Sequence, residues 1–355
     1  MHFKKKIPLI ISIISTLFYF SASKADIKVV TSIKPIHSLV SYVMDGVGTP
    51  DLIVDGYNSP HGFSLKPSHA KMLQEADIVI YVGEGIEEFL EKPLESLAKN
   101  AVKFELLNQS GIKKFKFRER NIFGDHDDHD DHGHGKKKKD DHDDHDDHDH
   151  DKKAKKEDHD DHDDHDHDKK AKKDDHDDHG HDDHGHGHGE FDPHIWLDPM
   201  NAKTIVKKVT NQLSKLDKEN SSIYKSNSKK ALKEIDQLIK TVKSDVNKDA
   251  KVVVFHDAYQ YFEKRFKVNI IGALTVNTDV LPGAEQIAEI REVIEHEKVT
   301  CVLSEPQFNP DIVKTIANDT KINMGVLDPL GATLDKGKTL YFNLISNISS
   351  SLKNC

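Results

Sequence analysis

Three histidines occupy places in the sequence where side chains commonly bind a metal ion. His256 directly follows the apolar run 252–255, His61 lies in a loop of turn-forming residues, and His194 lies between two Asp-Pro pairs. Taken singly, each is more typical of a surface residue or a hydrogen-bonded core histidine. Together they favour a zinc site, because three neutral imidazoles leave one position of a tetrahedral Zn²⁺ ion open.

A fourth ligand is sought among acidic residues that also follow predicted strands. Asp328 is our candidate, and its alternative role is a turn or helix cap. Glu305 has a similar position, but a capping or inter-lobe role suits it better. His37 and His69 are interpreted as structural or surface residues, so they are left out of the predicted site.

The segments that carry these residues alternate short apolar runs with helical patterns, which is typical of α/β proteins. Apolar runs without alternation indicate parallel strands that are covered on both faces. In open sheets of this kind, ligands bind at the carboxyl ends of the strands. Strands are predicted at 27–31, 52–54, 78–82, 252–255, 269–272, 300–304 and 324–327.

The predicted architecture is therefore two lobes, each a mostly parallel sheet flanked by helices, joined by a long helix. Asp198 and Pro199 predict the start of a helix that ends near residue 216. The next helix is long enough to connect two lobes. The predicted divisions are an N-terminal lobe over 26–124 and 191–219, a linking helix over 220–248, and a C-terminal lobe over 249–355.

An insert at 125–190 interrupts this pattern. It contains 18 histidines among 28 acidic residues and 12 lysines, part of it repeating every 17 residues. Such a segment has nothing to form a core, and it offers many weak, exchangeable metal sites. Its alternative role is an acidic linker. The metal-binding histidines that we single out are His126, His129, His142, His145, His148, His159, His162, His165, His176 and His179.

Residues 1–25 read as a secretory signal peptide, with lysines 4–6, an apolar stretch and a small-residue cleavage site before Asp26. An uncleaved anchor is the alternative, but the apolar stretch is short for a membrane span. Without this segment and the insert, the net charge of the chain is about +1. This balance argues against a nucleic-acid-binding surface.

The two cysteines of the chain are Cys301 and Cys355. In an oxidising compartment they form one intramolecular disulfide, which would tie the C-terminal tail to a strand region. The alternative is a pair of free thiols in a metal site.

The sequence resembles the periplasmic zinc-binding proteins that serve bacterial zinc-uptake ABC transporters, within the metal-binding solute-binding protein family. The resemblance covers residues 27–355. The motifs that carry it are Val254-Phe255-His256-Asp257-Ala258-Tyr259, His194-Ile195-Trp196-Leu197-Asp198-Pro199, Ser64-Leu65-Lys66-Pro67-Ser68 and Asp328-Pro329-Leu330-Gly331.

The resemblance implies zinc in a cleft between two lobes, a His/Asp-rich loop near the site and a disulfide in the C-terminal lobe. It also implies His61, His194 and His256 as the ligands. Some members have an acidic residue before the first ligand, where this sequence has Pro60. The fourth position is thus open to Asp328, to water or to a histidine of the insert.

We therefore predict a monomeric periplasmic protein that is not an enzyme, captures Zn²⁺ as cargo and delivers it to the permease of an ABC importer. The insert would collect zinc as an auxiliary loop. Alternatives are a manganese or iron carrier of the same fold, a metal buffer that acts mainly through the insert, and a zinc hydrolase. A hydrolase would need a general base beside the open metal position, and nothing marks one.

Overall fold

The structure, a computed structural model, describes residues 26–83, 85–123, 190–276, 278 and 280–355. The predicted signal peptide and the predicted insert, apart from Glu190, lie outside the described residues. Both sheets of the described part, with their helices, belong to one compact unit.

The first sheet has four parallel strands in the order β2-β1-β3-β4. Three of them match predicted strands, although the first begins two residues later than expected. The fourth was not predicted, because it is a four-residue edge strand in which two residues are charged and none is fully buried. The elements are β1 (Val29–Ile33), α1 (Lys34–Val43), β2 (Asp51–Val54), α2 (Pro67–Glu75), β3 (Ile78–Tyr81), α3 (Glu91–Ser96) and β4 (Val102–Glu105).

Two long helices follow, α4 (Pro199–Leu216) and α5 (Ser221–Asp245). The predicted cap of α4 is confirmed, since the Asp198 carboxylate accepts a hydrogen bond from the Met200 N–H. The α5 helix packs against α1 and α4 and leads into the second sheet. At 1.5 Å per residue it is about 37 Å long. The residue limits of the two lobes stay a prediction.

The second sheet is also parallel, in the order β6-β5-β7-β8. The predicted fold class, two parallel sheets flanked by helices, is confirmed. The last helix, α9, packs back against α1 and α5. The elements are β5 (Lys251–His256), α6 (Gln260–Phe266), β6 (Asn269–Thr275), α7 (Ala284–Glu297), β7 (Cys301–Ser304), α8 (Asp311–Thr320), β8 (Asn323–Val326) and α9 (Leu340–Lys353).

The central strand β5 shows why its sequence lacks alternation. Val252 and Val254 belong to the large core that also contains α4, α5 and α9, whereas Val253 and Phe255 belong to a second core beneath α7 and α8. Successive side chains of a strand point to opposite faces, so both faces need apolar residues here. The strand is fixed from both sides, and its last residue is His256.

Among the described residues, every helix is too short or too polar to cross a lipid bilayer.

The disulfide expected from the cysteine count is present. Cys301 at the start of β7 is bonded to Cys355, which follows α9, with 54 residues of sequence separation. The bond ties the last helix to the second sheet.

Replacing both cysteines with alanine should lower the free energy of unfolding by about 3–4 kcal/mol, because the unfolded chain loses a loop constraint of this length. Urea denaturation of the oxidised protein and of the Cys301→Ala/Cys355→Ala variant measures the difference. An unchanged denaturation midpoint would show that the bond does not stabilise the second sheet.

Candidate metal centre

The structure brings His61, His194 and His256 together. Each side chain offers a ring nitrogen, and the three nitrogens lie within 4.8 Å of one another. Within the described residues, this is the group of three or more histidine, cysteine or acidic side chains whose geometry suits a metal ion. The ring centroids are 5.3 to 5.9 Å apart.

Each histidine is positioned by a different element. His256 ends the parallel strand β5, His194 immediately precedes a 3-10 turn over Ile195–Leu197, and His61 lies in the loop after β2. Because His256 ends β5 and His61 lies in the loop after β2, both are at the carboxyl edges of their sheets. Three segments far apart in sequence therefore converge on one point.

The region around His194 is held by Trp196, which is fully buried. The Trp196 indole N–H donates to the Pro329 carbonyl at 2.8 Å, and the Tyr341 hydroxyl donates to the Trp196 carbonyl at 2.8 Å. These bonds join the 3-10 turn to the loop after β8 and to α9. The turn that follows His194 is thus fixed at two points.

Buried carboxylates bind the outer nitrogens of two of the rings. Asp192 Oδ1 lies 2.8 Å from Nδ1 of His194, and Glu305 Oε1 lies 2.7 Å from Nδ1 of His256. Both carboxylates are almost fully buried, at 2% exposure each. A proton on each Nδ1 leaves each Nε2 as a lone-pair donor, which is how proteins orient metal-binding histidines.

The inner nitrogens of these two rings face each other. Nε2 of His256 lies 3.4 Å from Nε2 of His194. Two nitrogens bound to a tetrahedral Zn²⁺ at about 2.0–2.1 Å would be about 3.3 Å apart. The pair is therefore already spaced for a shared ion.

The three rings line a cavity with about 10 Å³ of free volume. That volume holds about one water-sized body. Pro60, Trp196, Phe308 and Leu330 contribute to its walls. The cavity is too small for an organic ligand and leaves room for a water-sized body beside the three imidazoles.

Burial and charge shift the pKa values of the site in different directions. Burial lowers the pKa of His194 well below its usual value, and the nearby His256 lowers it further. Burial alone would lower the pKa of His256, but the carboxylates of Glu305, Asp257 and Asp192 together outweigh burial and raise it. Burial raises the pKa of Asp192 to about 7, although the His194 backbone N–H opposes this shift. His256 is therefore the more basic of these two imidazoles.

Arg118 supplies a positive charge next to the carboxylates of Asp257 and Glu263. Its guanidinium donates to Asp257 at 2.9 Å and to Glu263, and it lies 3.8 Å from the centre of the Phe123 ring. The same charge lowers the pKa of Asp192 against the effect of burial. Arg118 thus balances negative charge that burial would otherwise make costly.

Asp328 is not part of the histidine group. Its Oδ1 accepts from the backbone N–H groups of Leu330 and Gly331, and its Oδ2 accepts from that of Ala332 at 2.6 Å. Oδ1 also accepts from the Gln307 amide at 2.9 Å. These bonds make Asp328 the cap of its own turn, which was the alternative to its predicted role as a ligand.

The remaining histidines have local partners. His37 Nε2 lies 3.1 Å from the Pro50 carbonyl, and His69 Nδ1 accepts from the Lys66 N–H at 3.2 Å. Both lie outside the group of His61, His194 and His256, as expected from the sequence. Asp192 was missed as a supporting residue, although its place two residues before His194 was a usable signal. Glu305 was considered only as a cap or a weaker ligand candidate.

The fold and this site together define an α/β binding protein for a small ion. The family model described as "Zinc-uptake complex component A periplasmic" matches residues 29–355. The "High-affinity zinc uptake system protein ZnuA" of Brucella abortus (strain 2308) is 44% identical over 329 residues, which is 92% of this chain and 91% of that protein. The Haemophilus influenzae protein of the same name is 36% identical over 348 residues, which is 97% of each chain.

A solved structure titled "Crystal structure of ZnuA" superposes with a TM-score of 0.65 at 18% identity, covering 92% of this chain and 99% of that one. At this identity it supports the fold alone. The family match and the curated relatives show that the chain belongs to the periplasmic zinc-uptake component A family. This family is one of transport components rather than enzymes.

The carboxylate contacts predict the tautomers of the metal-free protein. At pH 8, His194 and His256 should carry their proton on Nδ1, whereas His37 should carry it on Nε2, next to the Pro50 carbonyl. Two-bond ¹H–¹⁵N NMR spectra distinguish the two forms, with His37 as the internal control. An Nε2 proton on both His194 and His256 would contradict the proposed orientation of their lone pairs.

Proposed function

We propose that this chain captures Zn²⁺ in the periplasm and delivers it, as a monomer, to the membrane permease of an ABC importer. His61, His194 and His256 are the ligands in this proposal. No covalent bond is made or broken. Membership of a periplasmic zinc-uptake family and relatives named for high-affinity zinc uptake support this function.

The single observation that carries the ligand assignment is the pair of facing Nε2 atoms, 3.4 Å apart. With both Nδ1 atoms on carboxylates, these nitrogens present lone pairs to each other. Two lone pairs at this distance repel, and a cation bound by both nitrogens removes that repulsion. The imidazole of His61 is the third nitrogen donor of the group.

The donor set favours zinc over manganese or iron. Harder ions prefer carboxylate oxygens, whereas imidazole suits Zn²⁺. The buried carboxylates nearest the rings, Asp192 and Glu305, are engaged by imidazole N–H groups. Asp328, the other acidic candidate, accepts four hydrogen bonds elsewhere. The site thus offers three nitrogens and commits its carboxylates to orienting them.

We assign the insert 125–190 an auxiliary role, in which its histidines collect zinc through weak, exchangeable sites. Its composition supports this role, since periodic histidines are not needed in a linker. We also propose that residues 1–25 direct secretion and are cleaved before Asp26. The alternative in which the insert is the main metal store is decided by the next experiment.

A mature protein that lacks 125–190 should keep one tight zinc site and lose several weak ones. Adding His256→Ala to this protein should remove the tight step, because a site with only two imidazoles holds zinc poorly. Titrations with zinc, manganese and iron in competition measure both effects. His296→Ala is the matched control, since that side chain is exposed on α7.

If deletion of the insert abolished tight zinc binding, the insert would be the main site. If His256→Ala left tight binding intact, the assignment of the three ligands would be wrong. A preference for manganese or iron in the competition would move the chain to the alternative carrier class.

Zinc affinity should fall more than tenfold between pH 7 and pH 5. Metal binding needs neutral imidazoles, and the pKa of His256 lies above its usual value of about 6.5, so a proton occupies this ligand as the pH falls through that range. Chelator competition at each pH measures the affinity. A zinc affinity that stayed constant between pH 7 and pH 5 would contradict a site made of three histidines.

A further inference from the structure

Gln307 is a polar residue of the cavity wall to which the ligand set gives no role. It follows β7 and lines the cavity together with the three histidines. Its Nε2 donates to Asp328 Oδ1 at 2.9 Å. Its Oε1 is shielded from solvent and, among the described residues, has no hydrogen-bond partner. Because buried polar atoms are normally hydrogen-bonded, this amide oxygen is expected to accept a hydrogen bond from a donor in the cavity.

The orientation of the Gln307 amide follows from chemistry. Asp328 offers acceptor oxygens, so the NH₂ end of Gln307 must face it and the carbonyl end must face away. Asp328 cannot turn to follow, because three backbone N–H groups of its own turn hold the carboxylate. Rotation of the Gln307 amide would lose its bond to Asp328 and bring two oxygens together. The acceptor end is therefore fixed.

A zinc ion held by three imidazoles has one position left for a small ligand. An amide oxygen is a poor direct ligand for Zn²⁺, which is bound in proteins by imidazole, thiolate, carboxylate or water. A zinc-bound water, by contrast, is a strong hydrogen-bond donor because the ion acidifies it. Such a water needs an acceptor on the cavity wall.

We infer that Gln307 Oε1 accepts a hydrogen bond from the water that completes the zinc coordination, and that Asp328 positions Gln307 for this contact. The inference rests on the proposed function and refines it. Asp328 then acts on the ion through Gln307, without ligating the metal. The Asp328 carboxylate, its turn and the open zinc position form one connected unit.

Two variants of the mature full-length chain separate this role from a structural one. Gln307→Met keeps the length of the side chain and removes the acceptor, whereas Gln307→Glu keeps an acceptor oxygen. Both lose the hydrogen bond to Asp328, so both should lower the Tm of the metal-free protein. Their affinities for zinc should differ, because only one of them can still hold the water.

Chelator competition should show that Gln307→Met binds zinc about tenfold more weakly than the unmodified protein, a loss typical of residues that contact a metal ligand without binding the metal. Gln307→Glu should bind zinc at least as tightly as the unmodified protein. Wild-type affinity in Gln307→Met, or equal losses in both variants, overturns the inference. The visible spectrum of the cobalt-loaded protein should be unchanged in Gln307→Met. A changed ligand field there would mean that Gln307 ligates the metal directly, which also overturns it.

His256→Ala measured alongside keeps the two proposals apart. Loss of tight zinc binding in that variant, together with unaltered binding in both Gln307 variants, would remove the inference and leave the proposed function in place. Tight zinc binding that survives His256→Ala would remove the proposed function itself.

Discussion

Two hydrogen bonds between buried carboxylates and imidazoles organise this protein. Asp192 binds the outer nitrogen of His194, and Glu305 binds that of His256. Each bond fixes the plane of a ring and places a lone pair on the nitrogen that faces the cavity. Without these bonds, no hydrogen bond would select the ring orientation in which the two Nε2 atoms face each other.

These bonds are costly to build, which explains much of the surrounding structure. Leaving a buried carboxylate without its hydrogen-bond partner typically costs about 1–3 kcal/mol or more, so each carboxylate needs its imidazole as much as the reverse. Arg118 offsets the negative charge of Asp257 and Glu263 beside the site. Strand β5, fixed between two apolar cores, holds His256 in place, and Trp196 fixes the turn that carries His194. These two rigid segments keep the Nε2 atoms of His194 and His256 close together although their lone pairs repel.

The sequence was sufficient for the fold class and for singling out the three histidines that the structure brings together. Continuous apolar runs predicted parallel strands, and the end of such a run located His256 at a ligand-binding edge. The contact of Glu305 with His256 could not be predicted, because the partner of a buried carboxylate depends on tertiary packing. Glu305 is 49 residues from His256 in sequence, and nothing local joins them. Asp328 illustrates the same limit, since an Asp-Pro-Leu-Gly turn after a strand is equally consistent with a ligand and with a cap.

The most direct test of zinc binding by the three histidines is a crystal structure of the zinc-loaded mature protein. We expect one tightly bound ion at about 2.0–2.1 Å from Nε2 of His61, His194 and His256, with the carboxylates of Asp192 and Glu305 still bonded to Nδ1 of His194 and His256. A zinc ion bound by the carboxylate of Asp192 or Glu305, or by fewer than these three histidines, would contradict this expectation.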